Sequence, residues 1–316
     1  MEKNTVRRFR RFAVTTVVAT YLLIFVGGLV RVSGAGLGCP DWPRCFGRWI
    51  PPTSVSQLPA TMDASLFNFT LAWIEYINRL VGVTIGILIF ITTALAFLNF
   101  RREKRILYPS VAALLLVAYQ GWQGSQVVSS GLEPFLITVH MVLAFLIVSL
   151  LIYVSQQAYY LESPETEARS QYPPEAKKLI LGLWGVVIVQ IILGTQVRSL
   201  IEVAADKFPL FSEGALLNAA DPLSYLHGLL GVLVAGLTWY IGDRMLKRSQ
   251  RPSPLVEYGA KIMMLLVAAQ IAVGGILIGF HLPDLMQLYH LWIASLFTGV
   301  LLVLYSAVQR KTKVQV

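Results

Sequence analysis

The sequence predicts an all-α integral membrane protein whose eight transmembrane helices form two four-helix bundles related by a pseudo-twofold axis. Three observations lead to this fold class. Of the 316 residues, 56% are hydrophobic and only 14% are charged, whereas an ordinary soluble domain carries about 25% charged residues. Eight apolar stretches each approach the roughly 20 residues that a helix needs to cross a bilayer. Features of the first half of the chain also recur in the second half.

The composition excludes a water-soluble globular enzyme. At a mean hydropathy of +0.64, polar side chains are too few to cover a soluble body of this size, so much of the apolar surface has to face lipid. In a soluble protein the net charge of +9 would suggest nucleic-acid binding. In a membrane protein it first indicates orientation, so we expect membrane lipid and no nucleic acid as a partner.

The predicted spans divide the chain into two bundles and a linker. The N-terminal bundle covers residues 1–160, a charged cytoplasmic linker covers 161–177, and the C-terminal bundle covers 178–316. The basic residues 7–11 lead into the first span without a small-residue cleavage site, so we expect this span to be retained. The eight spans have the approximate bounds 13–33, 72–99, 106–128, 135–157, 178–198, 222–242, 258–280 and 286–308.

The basic residues predict which way the spans point. Most of the 26 Lys and Arg residues lie at the N-terminus, in the connections after spans two, four and six, and in the C-terminal tail. Lys and Arg are enriched in cytoplasmic loops. We therefore expect a multi-pass protein of the plasma membrane with both termini in the cytoplasm. The exceptions, on the outer side, are Arg31, Arg44, Arg48, Arg79, Arg198 and Lys207.

An internal repeat relates spans one to four to spans five to eight. Each half has an even number of spans, so the halves would share one orientation, with the axis along the membrane normal. The matched features are Arg31 with Arg198, residues 76–82 with 225–231, residues 117–120 with 267–270, and His140 with His290; the last two pairs share an offset of 150 residues.

The repeat also places four polar residues near the outer ends of even-numbered spans. In the C-terminal bundle, His227 and His290 bring two imidazoles from facing helices to one point, as in four-helix bundles that hold haem or a metal. Zinc needs four close nitrogen or sulfur ligands, which favours haem iron here. In the N-terminal bundle, Asn78 pairs with His140. His281 has no counterpart, and we expect it to be solvated or interfacial.

Charged residues near the same depth allow two interpretations each. Glu75 shares a helix face with Asn78 and either pairs with Arg79 or acts as an acid/base group. Arg31 and Arg198 end spans one and five, where they either anchor the interface or bind anionic groups such as haem propionates. Arg79 is a third candidate for propionate binding.

Two cysteines, Cys39 and Cys45, lie in the first outer loop. Disulfides persist outside the cytoplasm. The pattern favours a structural bridge between them, with a redox-active thiol pair as the alternative.

Three segments together resemble the haem A synthase family. They are the outer-loop string GAGLGCPDWPRCFG at residues 34–47, the string WIEYINRLVG at residues 73–82, and the histidines at positions 140, 227 and 290. The resemblance covers nearly the whole chain. It implies haem b between His227 and His290, haem O as a substrate in the first half near His140, and Glu75 as a carboxylate important for turnover.

The resemblance also implies an activity and partners. The family oxidises the C8 methyl group of haem O to a formyl group through successive hydroxylations and loss of water, and supplies haem A to terminal oxidases. The enzyme that makes haem O and an electron donor are the implied partners, and an oligomer is compatible with them. Both haem sites would lie toward the outer side of the membrane.

One departure from the family pattern bears on function. The family expects Glu-x-x-His-Arg, whereas this chain has Asn78 in the histidine position, followed by Arg79. An amide is a poor iron ligand, so His140 alone would hold the iron in this half. Phe46 also stands where the family commonly has histidine. The leading prediction is haem A synthase; the alternatives are a haem-binding electron-transfer or haem-handling protein without synthase activity, and a transporter without haem.

Overall fold

A computed structural model describes residues 2–163, 172–208, 222–249 and 253–309 of the chain. Over these ranges the protein is helical, and the described residues contain no β-strand. Eight long helices account for most of them: α1 (Lys3–Val32), α2 (Phe69–Asn99), α3 (Lys104–Ser129), α4 (Pro134–Glu162), α5 (Ala176–Lys207), α6 (Leu223–Arg248), α7 (Pro254–Gly279) and α8 (Asp284–Gln309). The prediction of an all-helical protein is confirmed for these residues.

Seven of these helices are long and apolar enough to cross a membrane, so the protein is a multi-pass membrane protein. The exception is α3, which has 26 residues, as many as α6, α7 and α8. Its lower hydropathy follows from three glutamines, Gln120, Gln123 and Gln126, in its second half. The prediction of eight spans is therefore confirmed for seven helices, and the crossing by α3 stays a prediction.

The first compact unit, Met1–Ser155, has a core to which α1, α2, α3 and α4 all contribute. Ile89 of α2, Ala113 of α3 and Leu151 of α4 are almost fully buried there, and Val17 of α1 packs against them. Helices in lipid associate through close packing and polar contacts rather than through transfer of apolar surface from water. A hydroxyl pair, Thr16 and Thr92, 3.1 Å apart, provides such a polar contact between α1 and α2.

The second compact unit, Gln156–Val316, contains a closed ring of four helices. Within it, α5 contacts α6, α6 contacts α7, α7 contacts α8, and α8 returns to α5. Small residues allow two of these close approaches. A Cβ atom at Gly242 of α6 would lie 2.7 Å from Met264 Sδ of α7, and one at Gly259 of α7 would lie 2.8 Å from Leu304 Cδ2 of α8.

The connection between α1 and α2, residues 33–68, folds as a small unit against the start of α2. It contains three short 3₁₀ turns and a core of Cys39, Cys45 and Phe46 against Ala72 of α2. A cis peptide bond precedes Pro43. This loop lies at the same end of α2 as Glu75 and Asn78, so it is positioned to contact them.

The predicted spans lie within a few residues of the helices at most boundaries. The largest differences are at α1, which begins at Lys3 instead of residue 13, and at α5, which continues from the predicted end at residue 198 to Lys207. Much of the predicted charged linker, including Arg169, and the basic tail from Arg310 lie outside the described residues. The twofold relation of the halves stays a prediction.

Candidate haem sites

The structure brings the imidazole rings of His227 of α6 and His290 of α8 together in an edge-to-face arrangement. Their ring centroids lie 6.2 Å apart, with an angle of 60° between the ring planes. Each histidine lies within the first two turns of its helix, which places both rings at the same end of the second unit. Histidine nitrogens bind metal atoms at about 2 Å, and a metal atom held by both rings would lie between them. The spacing therefore fits one metal atom between the rings.

Several buried polar atoms of the second unit, two of them on these rings, are unsatisfied. The Nδ1 atoms of His227 and His290 are buried and have no hydrogen-bond partner among the described residues, and the same holds for Oε1 of Gln190 and Gln270. A buried polar atom without a partner costs about 1–3 kcal/mol. The unpaired ring nitrogens are therefore free to bond a group from outside the chain.

Two glycines make room for these rings. A Cβ atom at Gly194 of α5 would lie 3.0 Å from His227 Cε1, and one at Gly274 of α7 would lie 3.5 Å from His290 Cε1. A side chain at Gly194 would therefore displace the imidazole. The described residues offer no group of three or more His, Cys, Asp or Glu side chains that could hold a metal ion. A bis-imidazole haem iron fits the two histidines better than zinc, which requires four protein or solvent ligands.

In the first unit, His140 of α4 is held from α3 by two glutamines. Gln123 Oε1 bonds Nδ1 of the His140 imidazole, and Gln120 Nε2 donates to the His140 backbone carbonyl at 2.9 Å. Gly124, the next residue of α3, would place a Cβ atom 3.5 Å from His140 Cε1. This arrangement orients a single imidazole in the first unit.

Glu75 is buried on α2 and forms an ion pair with Arg79 one turn later. Arg79 Nε donates to Glu75 Oε1 at 2.8 Å, and only 5% of the Glu75 residue is exposed. The predicted pairing of Glu75 with Arg79 is present. Asn78 follows Glu75 by three residues and lies on the same helix face. The Arg79 guanidinium therefore fixes the Glu75 carboxylate.

Arg79 also binds the outer loop. Its Nη1 donates to the backbone carbonyls of Asp41 and Arg44, both at 2.8 Å, and its Nη2 donates to that of Cys39 at 3.2 Å. With the bond to Glu75, four of the five N–H donors of a guanidinium are engaged. Arg79 therefore connects the loop to the carboxylate, which leaves one N–H for any further anion.

The loop that Arg79 contacts is closed by the Cys39–Cys45 disulfide. Both cysteines are almost completely buried, at 0% and 1% exposure, so the bridge is shielded in a way that suits a structural role. The Asp41 carboxylate accepts from the backbone N–H groups of Phe46 at 2.6 Å and Gly47 at 2.8 Å. These bonds stabilise two consecutive residues with positive φ.

The remaining predicted site residues lie near the helix ends. Arg31 contacts Met141, the neighbour of His140, with 3.5 Å between Nη1 and Sδ. Arg198 bonds Glu202 at 2.6 Å and also Gln287 of α8. Arg198, Glu202 and Gln287 line a cavity of about 150 Å³. His281 is exposed in the short connection between α7 and α8.

Comparison with known proteins shows the family of this chain. The sequence model of the COX15-CtaA family, described as cytochrome oxidase assembly protein, matches residues 10–303. The chain belongs to this family. Relatives named "Heme A synthase" include those of Geobacillus kaustophilus, 24% identical, and Geobacillus thermodenitrificans, 26% identical; each match covers 93% of this chain and 90% of the relative. The Shewanella oneidensis protein of the same name is 31% identical over 57% of this chain and 53% of its own length.

Membership of the COX15-CtaA family confirms the resemblance found in the sequence. The sequence did not, however, predict two features of the site. The first is Gln123, whose signal was an amide within an otherwise apolar helix. The second is the set of loop carbonyls on Arg79, for which the sequence offers no signal because backbone acceptors are the same at every residue. The sequence therefore predicted which side chains form the site, and the structure revealed the contacts that orient them.

Proposed function

We propose that this protein is a haem A synthase, which oxidises the C8 methyl group of haem O to a formyl group by successive hydroxylations and loss of water. The family match over residues 10–303 carries the proposal. The neighbouring imidazoles of His227 and His290, with ring centroids 6.2 Å apart, support it, as does the buried carboxylate of Glu75.

In this proposal, His227 and His290 hold the iron of haem b. Gly194 and Gly274 lack side chains and so leave room for the two imidazoles. Gln190 Nε2 donates to the His227 backbone carbonyl at 2.7 Å and so fixes the start of α6. Haem b, when bound, supplies one-electron transfer. The protein's contribution is to set the ligands and to exclude water from them.

The first half would receive haem O as substrate, with His140 as the protein ligand of its iron. Glu75 is the candidate catalytic residue: its carboxylate accepts a proton or stabilises positive charge that develops at the substrate methyl group. Arg79 holds Glu75 Oε1 and thereby fixes the direction in which the carboxylate points. Asn78 lies near Glu75 on α2. Because an amide is a poor iron ligand, His140 is then the one protein ligand of the substrate iron.

Arg31 and Arg198 are proposed to bind haem propionates, for which charge-assisted hydrogen bonds from guanidinium groups are well suited. Arg79 can contribute its remaining donor. The proposal places the protein in the plasma membrane with both termini in the cytoplasm, α3 as the eighth span, and both haems toward the outer side. An electron donor and the enzyme that makes haem O are the proposed partners.

The test is extraction and mass analysis of haems from the protein expressed with a source of haem O. We expect hydroxylated and formyl haem in the wild type, and loss of both with haem b retained in Glu75→Ala. The matched control is Glu103→Ala, which removes an exposed carboxylate between α2 and α3 and should leave conversion intact. Unimpaired conversion in Glu75→Ala would remove this carboxylate from the mechanism.

Asn78 favours a second function, a haem-binding or electron-transfer protein without synthase activity. An amide does not replace imidazole as an iron ligand. If this function is correct, the wild type yields haem b and unmodified haem O, and Asn78→His gains haem or activity in the first half. Formyl haem in the wild type would reject it.

A further inference from the structure

The buried carboxamide of Gln123 bonds two groups one helical turn apart on α4. Its Nε2 donates to the Leu136 carbonyl at 2.7 Å, and its Oε1 bonds Nδ1 of His140. Gln123 is 2% exposed, so no solvent competes for either bond. The side chain therefore fixes the imidazole relative to the helix that carries it.

The Leu136 contact determines the direction of the hydrogen bond to His140. A backbone carbonyl only accepts, so the atom of Gln123 that faces Leu136 has to be the donor Nε2. The atom that faces the imidazole is then the acceptor Oε1, and Nδ1 of His140 has to carry the proton. In a neutral imidazole with a protonated Nδ1, Nε2 presents a lone pair.

We infer that Gln123 is a positioning residue that sets the tautomer and orientation of His140, so that Nε2 of this one imidazole binds the iron of the substrate haem. The inference rests on the proposed function for the identity of that ligand. Metal-bound histidines commonly donate their second ring N–H to a fixed acceptor, which raises ligand basicity. Such support matters most where a single imidazole holds the iron.

The second half of the chain lacks this device. The offset of 150 residues that relates His140 to His290 places Val273 opposite Gln123. Valine has no acceptor, and His290 Nδ1 is indeed buried without a partner in the described part of the chain. Two imidazoles share one site in that half, so orientation by a neighbouring amide is less important there.

The first test measures the tautomer directly, by ¹⁵N NMR of full-length protein labelled at histidine. The protein is produced without a source of haem O, and any bound haem iron is kept in the reduced, ferrous state. The chain has four histidines, and His140→Ala assigns the signal of His140. We expect a proton on Nδ1 in the wild type and a shift toward Nε2–H in Gln123→Val. A wild-type proton on Nε2, or an unchanged tautomer in Gln123→Val, would overturn the inference.

The matched control is Gln120→Leu. Gln120 contacts only the backbone carbonyl of His140, so its loss should leave the tautomer unchanged. If the glutamines had a merely structural role, Gln120→Leu and Gln123→Val would have the same effect on the tautomer. This experiment does not depend on catalysis, so failure of haem O conversion would reject the proposed function and leave the tautomer result standing.

The second test is titration with haem O. We expect Gln123→Val to weaken binding by about 10- to 100-fold, the range for lost hydrogen bonds to metal ligands. In the ferrous complex, the iron–imidazole stretching frequency should fall in Gln123→Val and rise in Gln123→Glu, because a carboxylate is the stronger acceptor. Equal affinity and frequency in all three proteins would contradict the assignment.

Discussion

At the scale of single residues, the site depends on side chains whose neighbours determine what they can do. The sequence predicted Glu75 and the three histidines, because ionisable groups are rare within apolar spans and are usually functional there. It left open whether Glu75 pairs with Arg79, and the structure shows the pair. It did not reveal that Arg79 also binds three loop carbonyls, since tertiary contacts with backbone atoms leave no trace in residue type.

The Glu75–Arg79 pair should contribute strongly to stability. Removing Arg79 leaves a buried carboxylate uncompensated, and breaking a buried pair in this way typically costs about 3–5 kcal/mol. We expect Arg79→Ala to lower the thermal midpoint in detergent markedly and Glu75→Gln to restore part of the loss in the double variant. The control is Lys261→Ala, which breaks a pair with the same spacing, Lys261–Glu257, that is exposed. If Arg79→Ala and Lys261→Ala lowered the thermal midpoint equally, burial of the pair would be unimportant for stability.

Gly194 should be required for the second haem site. Because its Cβ atom would lie 3.0 Å from His227 Cε1, alanine forces the ring to move, at a typical cost of about 1–3 kcal/mol. We expect less haem per protein in Gly194→Ala, measured by pyridine haemochrome. Gly185 lies on the same helix in open space, and Gly185→Ala should keep its haem and gain about 0.5–1 kcal/mol from helix propensity. Full haem content in Gly194→Ala would refute the close-packed imidazole.

At the scale of elements, the helices were predictable and the outer loop was not. Apolar runs of about 20 residues allow few structures in lipid, because every backbone polar group has to be bonded within its own segment. The loop of residues 33–68 has no such periodicity. Its fold depends on particular contacts instead: the Asp41 carboxylate caps two N–H groups, Phe46 packs edge-on to Phe67 with ring centroids 5.4 Å apart, and Arg79 binds the carbonyls.

Close approach of this loop to α2 should protect the disulfide. A Cβ atom at Gly38 would lie 2.3 Å from the Leu71 carbonyl oxygen, so Gly38→Ala has to push the loop away from the helix. We expect dithiothreitol to reduce the Cys39–Cys45 bridge slowly in the wild type and at least several-fold faster in Gly38→Ala. Labelling of the released thiols measures the rate of reduction. Gly82→Ala, at a position on α2 with open space, is the control. Identical reduction rates would mean that the loop does not shield the bridge.

At the scale of the whole molecule, α3 decides the number of spans. Its glutamines lower its hydropathy, yet two of them bond α4: Gln120 donates to the His140 carbonyl and Gln123 to the Leu136 carbonyl. Polar groups that are bonded inside a bundle do not face lipid, so they are tolerated at membrane depth. A helix of 26 residues is about 39 Å long, and the hydrocarbon core is about 30 Å thick. Length and internal bonding therefore both favour an eighth crossing that composition alone does not reveal.

Cysteine labelling of intact cells can test this crossing in the full-length chain. Cys39 and Cys45 are joined and are the only two cysteines, so an introduced thiol reports its own position. Arg102→Cys and Ser129→Cys place exposed thiols at opposite ends of α3. If α3 crosses and the N-terminus is cytoplasmic, a membrane-impermeant maleimide labels Ser129→Cys at once and Arg102→Cys only after the cells are broken. Labelling of both thiols, or of neither, in intact cells would place both ends of α3 on one side. That outcome would leave seven crossings and put the two termini on opposite sides of the membrane.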